Sequence, residues 1–288
     1  RVSKFKSVGK EKSILHSKLL YVDGRIVCVP FQTREIAIYD IKEAKMHFVD
    51  IPNIGGVRGS YFLQAHCKDG FVFLIPCRTS SVLKLNVSTL EIEIIYTIKD
   101  NGKYVWNRKE PFVYKASELF EGKLYLAAFM EPFGVCIDLH TREVTYFSLP
   151  FKRGGSTHLF KIKDGLFFVG QCGEICKYGE NRTVKRIEEN NENDLVIESG
   201  DIIHNFIYLL GSTSGKIYKI NADNLQLEEK KVISKKEKKC LKEIWYDFAG
   251  MSINQNGEIE TVSAWSGRKL VIDQKTLEVK ETIDFQRI

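Results

Sequence analysis

Nowhere do the 288 residues approach the ~18 consecutive apolar residues that a membrane span requires. The first twenty (RVSKFKSVGKEKSILHSKLL) lack the uninterrupted apolar stretch of a secretory signal. The chain starts at Arg1 rather than Met, which leaves room for a removed segment upstream of residue 1, a signal included. No Gly-rich phosphate loop, HExxH or G-x-S-x-G occurs, so the common nucleotide, zinc-protease and serine-hydrolase signatures are missing. Cysteine is not scarce, at seven, but it lacks pattern. The count is odd, no C-x-x-C spacing exists, and most cysteines (Cys28, Cys67, Cys77, Cys136, Cys172, Cys176, Cys240) lie in apolar strand-like runs. Buried reduced thiols and a cytoplasmic location are the expectation. Cys172 and Cys176 are the one close pair, with no His or second pair nearby to complete a zinc site, so neither metal nor cofactor is expected.

Hydrophobic residues at 43% and charged residues at 28% are those of an ordinary globular protein with ample core material. Net charge is +6, from 43 Lys+Arg against 37 Asp+Glu. That favours anionic partners but falls short of a dedicated nucleic-acid binder.

What the sequence does have is a repeat. Five segments align without a gap, each running from a turn to an Asp or Asn sixteen residues on: Gly24 to Asp40, Gly70 to Asn86, Gly122 to Asp138, Asn205 to Asn221 and Gly257 to Asp273. Within each, an apolar strand, a short loop and a second, alternating strand follow in order. A sixth copy after Gly165 (LFFVGQCGEICKY) has a loop shorter by about three residues. Another strand precedes every opening turn and a further one follows every closing Asp or Asn. Asp and Asn suit that closing position because their side chains bond backbone two residues on. Asp-Gly, Glu-Gly and Asn-Gly pairs supply the positive φ of hairpin turns.

Each unit is thus four antiparallel strands, A to D, with turn spacings of 46, 52, 43, 40 and 52 residues. Helical 3.6-residue periodicity is absent. These units resemble blades of the β-propeller superfamily, in the broad group that includes Kelch-like and quinoprotein-like repeats. They lack the paired-Gly and spaced Tyr/Trp pattern of Kelch and the Gly-His and Trp-Asp marks of WD40 repeats, so the likeness carries no family function. The expected fold is all-β: one domain over residues 1–288, a six-bladed propeller with blades at about 13–52, 60–99, 112–150, 156–189, 195–234 and 245–286. Residues 2 to 8 are unassigned, and the last unit's own D strand suggests that the ring closes by blade contact.

In that architecture the D–A and B–C loops share one face, and here the D–A connections are long and varied (PNIGGVRGS, KDNGKYVWNRKEPF, PFKRGGS, SKKEKKCLKEIW). Six of twelve arginines fall in those loops: Arg34, Arg58, Arg78, Arg108, Arg153 and Arg268. Trp106 and Trp265 accompany them, with Phe133, Trp245 and Tyr61. A planar guanidinium grips carboxylate or phosphate oxygens in pairs, so the set reads as a surface for an anionic glycan or an acidic protein segment. Arginine is exposed in most proteins, however, and a loop Trp equally caps a core.

His158 at the start of a fourth-unit A strand, Asp247 and Glu118 are the titratable groups placed near the channel mouth. Together they fit an acid–base pair in a glycan- or peptide-processing lyase or hydrolase; singly, such a His bonds a neighbouring loop. The lysines of SKKEKKCLKE read as a solvated loop. The primary expectation is therefore a non-catalytic binding module, with such an enzyme as the alternative.

Overall fold

The computed structural model describes residues 16–54, 61–98, 114–129, 131–152, 154–163, 165–171, 173–178, 184–187, 197–211, 214–233, 248–263 and 267–284. Among them every regular element is a strand. The first sheet holds β1 (His16–Val22), β2 (Arg25–Pro30), β3 (Glu35–Asp40) and β4 (Lys45–Asp50). The second holds β5 (Phe62–Lys68), β6 (Phe71–Pro76), β7 (Ser81–Asn86) and β8 (Ile92–Thr97). The third runs β9 (Tyr114–Phe120), β10 (Lys123–Ala128), β11 (Phe133–Asp138), β12 (Val144–Ser148), and the fourth β13 (Ser156–Ile162), β14 (Gly165–Gly170), β15 (Glu174–Tyr178), β16 (Val184–Arg186). The fifth is β17 (Ile197–Ile203), β18 (Phe206–Gly211), β19 (Lys216–Asn221), β20 (Leu227–Lys231), and the sixth β21 (Phe248–Ile253), β22 (Ile259–Ser263), β23 (Arg268–Ile272), β24 (Val279–Asp284). In every sheet the strands pair antiparallel in chain order, as A, B, C and D.

Burial follows strand position. The B strands FVFLIP (β6) and GLFFVG (β14) are buried along nearly their whole length, which explains their continuous apolar runs, since they are covered on both faces. The D strand LEEKK (β20) holds only partly buried and exposed residues, in keeping with its place at the sheet edge.

The fold contacts divide into two compact units, Arg1–Tyr114 and Lys115–Ile288. In the first, Val27, Val29, Ile36 and Ile38 of the first sheet pack on Phe62, Val72, Leu74, Leu83 and Leu85 of the second. The opposite face of the first sheet presents Leu19, Tyr21 and Phe48, which are 65%, 68% and 63% exposed. In the second unit the third and fourth sheets meet through Tyr125, Phe147, Phe168 and Tyr178. Tyr218 and Ile207 join the fourth to the fifth, and Tyr208 and Phe248 the fifth to the sixth.

The turns show why Asp and Asn recur. Asp138 Oδ1 accepts from His140 N and Thr141 N, both at 2.9 Å, and Arg142 N returns to Asp138 O at 2.9 Å. Asn86 and Asp273 repeat this arrangement. Four residues after each closing Asp or Asn the chain takes positive φ, at Ala44, Leu90, Arg142, Leu225 and Leu277. One sequence assignment shifts: Ile162 pairs directly with Gly165, so Gly165 opens β14 rather than completing the preceding turn. The positive φ falls at Lys163 instead.

Candidate functional site

Antiparallel order puts the start of each A strand and the B–C loop at one end of every sheet. The A strands begin irregularly. A register break interrupts A–B pairing between His16 and Lys18, Phe62 and Gln64, Ser156 and His158, Ile197 and Ser199, and Phe248 and Met251. Such bulges re-aim side chains at sheet ends.

In the first unit a backbone relay ties that end together. Tyr61 N donates to Phe31 O at 2.7 Å, and Cys77 N donates to Tyr61 O at 2.8 Å. Ile51 N donates to Arg34 O at 2.8 Å, and Ser80 Oγ donates to Ile54 O. The loops after β2 and β6 are thereby held while Arg34 and Arg78 project as exposed side chains. Among the described residues neither forms an ion pair. Burial pushes the adjacent Cys77 thiol up, with Arg78 pulling the other way.

The second unit repeats the relay with different side chains. Gly155 N donates to Phe129 O at 2.6 Å, and Gln171 N donates to Gly155 O at 3.1 Å. Gln171 Nε2 donates to Phe129 O as well. The start of β15 carries Glu174, 3% exposed, whose Oε1 accepts from Lys152 N at 3.1 Å while its buried Oε2 has no partner.

The expected residues are distributed as follows. Arg34 and Arg78 share the loop end of the first unit, and Arg268 is the exposed first residue of β23 in the second. Arg58, Trp106, Arg108, Arg153, Trp265 and Asp247 lie outside the described residues, as do Trp245 and the lysine-rich run. Phe133, expected in a loop, is instead the first residue of β11, because it pairs with Ser148.

Glu118, in β9, has Oε1 accepting from Leu119 N at 2.9 Å. His158 is partly buried in β13, its ring stacked on Phe160 at 5.7 Å and 10° and its Nδ1 3.1 Å from Thr157 Oγ1. Burial, with the positive charge of Lys115 adding to it, pushes the ring down to about 3. It is therefore neutral at pH 7, where it accepts hydrogen bonds well and takes up a full proton poorly. Lys115 itself, partly buried with its Nζ 5.0 Å above the Phe129 ring, had no sequence signal, being one lysine of many. The described cysteines are free thiols, with Cys77, Cys136 and Cys176 buried and Cys67 exposed. Among the described residues no three His, Cys, Asp or Glu converge as metal ligands, and no helix is long and apolar enough to cross a membrane.

No family model and no curated protein matches the sequence. Solved structures do match in shape. Virginiamycin B lyase from Staphylococcus aureus superposes with a TM-score of 0.64 at 12% identity, over 93% of this chain and 83% of that one. A streptogramin B lyase gives 0.65 at 10%, over 96% and 86%. AztD from Citrobacter koseri gives 0.58 at 11%, over 94% and 71%. The fold class is a six-bladed β-propeller. At such low identities the propeller likeness extends to architecture alone, and the six four-stranded sheets are its blades.

Proposed function

We propose that this propeller is a non-catalytic binding module which offers its B–C and D–A loop end to an anionic glycan or an acidic protein segment. The observation that carries this reading is the pair Arg34 and Arg78, exposed and without ion-pair partners among the described residues, on two loops of one unit pinned by the Phe31–Tyr61–Cys77 relay. Loops fixed by backbone bonds present a guanidinium at lower ordering cost than free loops, and a guanidinium unengaged by protein carboxylates is available for ligand oxygens. Arg268, expected in the same class of loop, is instead the exposed first residue of β23, because it pairs with Asp284.

Glycan or peptide processing by His158, Glu118 and Asp247 receives less support, because the His158 ring is a weak base and Glu118 is turned to backbone. Two of the shape-matched proteins are lyases by name, and at 10–12% identity that activity does not transfer.

The test is fluorescence anisotropy with a labelled heparin fragment and with a labelled poly-glutamate peptide, neutral dextran serving as control. The Arg34→Ala/Arg78→Ala double variant is expected to bind at least one anionic probe about tenfold or more weakly, with a shallower salt dependence. Equal binding by the double variant, or wild-type binding no better than to dextran, overturns the proposal.

A further inference from the structure

The second sheet carries a cleft at the end opposite to Arg78, wholly within Arg1–Tyr114. Its volume is about 490 Å³, and Phe71, Lys84, Asn86, Glu91, Ile92 and Glu93 line it. Strand register gathers these residues. Phe71, the first residue of β6, stands opposite Asn86, the last of β7, and Lys84 stands opposite Glu93 of β8. Asn86 N donates to Glu91 O at 2.9 Å, which sets those two side by side. Residues two apart on a strand share a face, so both rows project to one side of the sheet.

Hydrogen bonds decide what each side chain still offers. Asn86 Oδ1 accepts from Ser88 N at 2.9 Å and from Thr89 N at 3.1 Å, which orients the amide and leaves its Nδ2 protons unengaged among the described residues. Thr89 Oγ1 in turn donates to Glu91 Oε2 at 3.0 Å, so one residue holds both the Asn86 amide and the Glu91 carboxylate, with Glu91 Oε1 left to accept. Lys84 Nζ lies 4.0 Å from the centre of the Phe71 ring and 3.7 Å from Glu93 Oε2, a cation–π contact and an ion pair too long for a hydrogen bond. Neither Asn86 Nδ2 nor Lys84 Nζ is among the sealed polar atoms of the described residues.

The fifth sheet has the same residue types in the same register, in a closed form. Lys219 Nζ lies 4.8 Å from the centre of the Phe206 ring but donates to Glu228 Oε2 at 3.1 Å, and Gln226 stands where the second sheet has Glu91. There the ammonium is engaged within the protein. In the second sheet two donors and a carboxylate oxygen remain around one cleft.

An anion suits Lys84 and Asn86 but meets the charges of Glu91 and Glu93. An ammonium suits the carboxylates but meets Lys84 and gives Asn86 Nδ2 nothing to bond. A hydroxyl accepts and donates through one atom, and neighbouring hydroxyls on a ring satisfy donors and acceptor together. We propose that this cleft is a subsite for a neutral sugar, Asn86 Nδ2 and Lys84 Nζ donating to hydroxyls that donate onward to Glu91. It stands on its own residues and does not depend on Arg34 and Arg78.

Titrating the full chain with the methyl glycosides of glucose, galactose and mannose tests this, read at the Asn86 side-chain amide by ¹H–¹⁵N correlation NMR. Sodium acetate and methylammonium chloride serve as controls. At least one glycoside should shift the Asn86 Nδ2 signals saturably, with both controls about fivefold weaker or more. Glu91→Gln keeps the bond from Thr89 and removes the free acceptor, while Lys84→Met keeps the stem over Phe71 and removes the donors. Each should weaken the glycoside about fivefold or more with the melting midpoint unchanged. Lys219→Met, in the closed copy, should leave it unaltered. No saturable shift with any glycoside, an equal response to acetate or methylammonium, binding that survives Glu91→Gln or Lys84→Met, a loss that tracks a fallen melting midpoint in both variants, or a loss on Lys219→Met each overturns the proposal.

Discussion

Gly155 sits where nothing larger fits: a Cβ built there would lie 1.9 Å from Ala128 O and 2.4 Å from Glu131 O, both backbone. Backbone cannot swing aside as a side chain can, so Gly155→Ala must push the β10–β11 loop away and break the relay through Phe129 O. We expect a loss of about 2–4 kcal/mol in denaturant unfolding. Leu277 poses the opposite problem, since its φ of 58° strains any side chain, yet its own is only 3% exposed against the core of the fifth and sixth sheets. Truncation should cost about 2–5 kcal/mol of packing, while glycine recovers about 1 kcal/mol of strain. Leu277→Gly should therefore be more stable than Leu277→Ala, the reverse of the usual order in a regular strand; equal stabilities would show that the strain is not borne there. His158 gives a pH signature. Its folded value is lowered to about 3 from an ordinary 6.5, so between those limits the unfolded chain binds the extra proton and stability falls as pH falls. Since the ring is partly buried rather than sealed, the loss across that window should be about 2–3 kcal/mol, below the full equivalent of the shift. His158→Gln should flatten this part of the profile, and an unchanged slope would assign it to other groups.

At the scale of the strand and turn, Arg25 shows how one unit joins its sheets. Its Nε donates to Asp40 Oδ2 at 2.9 Å while its guanidinium reaches Val87 O of the second sheet, so one side chain closes its own hairpin and clamps the next blade. The Glu43 amide, ahead of Arg25, holds the Asp40 carboxyl below the usual carboxylate range. Arg25→Ala should cost about 1–2 kcal/mol, and a double-mutant cycle with Asp40→Asn should show coupling; additive losses would leave the bond to Val87 O as the whole effect. The hairpins and closing turns were legible in the sequence because their chemistry is local: Asp-Gly at positive φ and Asp or Asn bonding its own backbone leave marks at a fixed spacing. The bulge near the start of β1, β5, β13 and β17 was not, because Ser17, Leu63, Thr157 and Glu198 share no residue type, and cross-strand register alone creates it. The same division runs through the site. Loop position marked Arg34 and Arg78, whereas the lowered basicity of His158 comes from burial that its sequence neighbours do not reveal. Glu174 gave no signal, since an acidic residue at a strand start is ordinarily solvated.

Over the whole molecule the charge of +6 is unevenly spent. Several lysines of the fifth and sixth sheets are matched to carboxylates: Lys216 to Glu229 at 2.9 Å, Lys219 to Glu228 at 3.1 Å, Lys269 to Glu260 at 2.7 Å, and Lys280 to Glu258 and Asp273 at 3.0 and 2.9 Å. These cross-strand pairs lie at or near the surface, where each contributes about 0–1 kcal/mol. The exposed Arg34 and Arg78 stand outside that matching, on loops where a ligand can reach them. Salt should separate the two populations. Raising ionic strength from 0.1 M to 1 M shortens the Debye length from about 10 Å to about 3 Å. The affinity for a heparin fragment should then fall by about tenfold or more, while the melting midpoint moves little because the outer pairs contribute little to begin with. Anisotropy and thermal melting on the same samples decide it: an affinity that holds at 1 M salt would mean that the partner reads apolar surface rather than the unmatched cations.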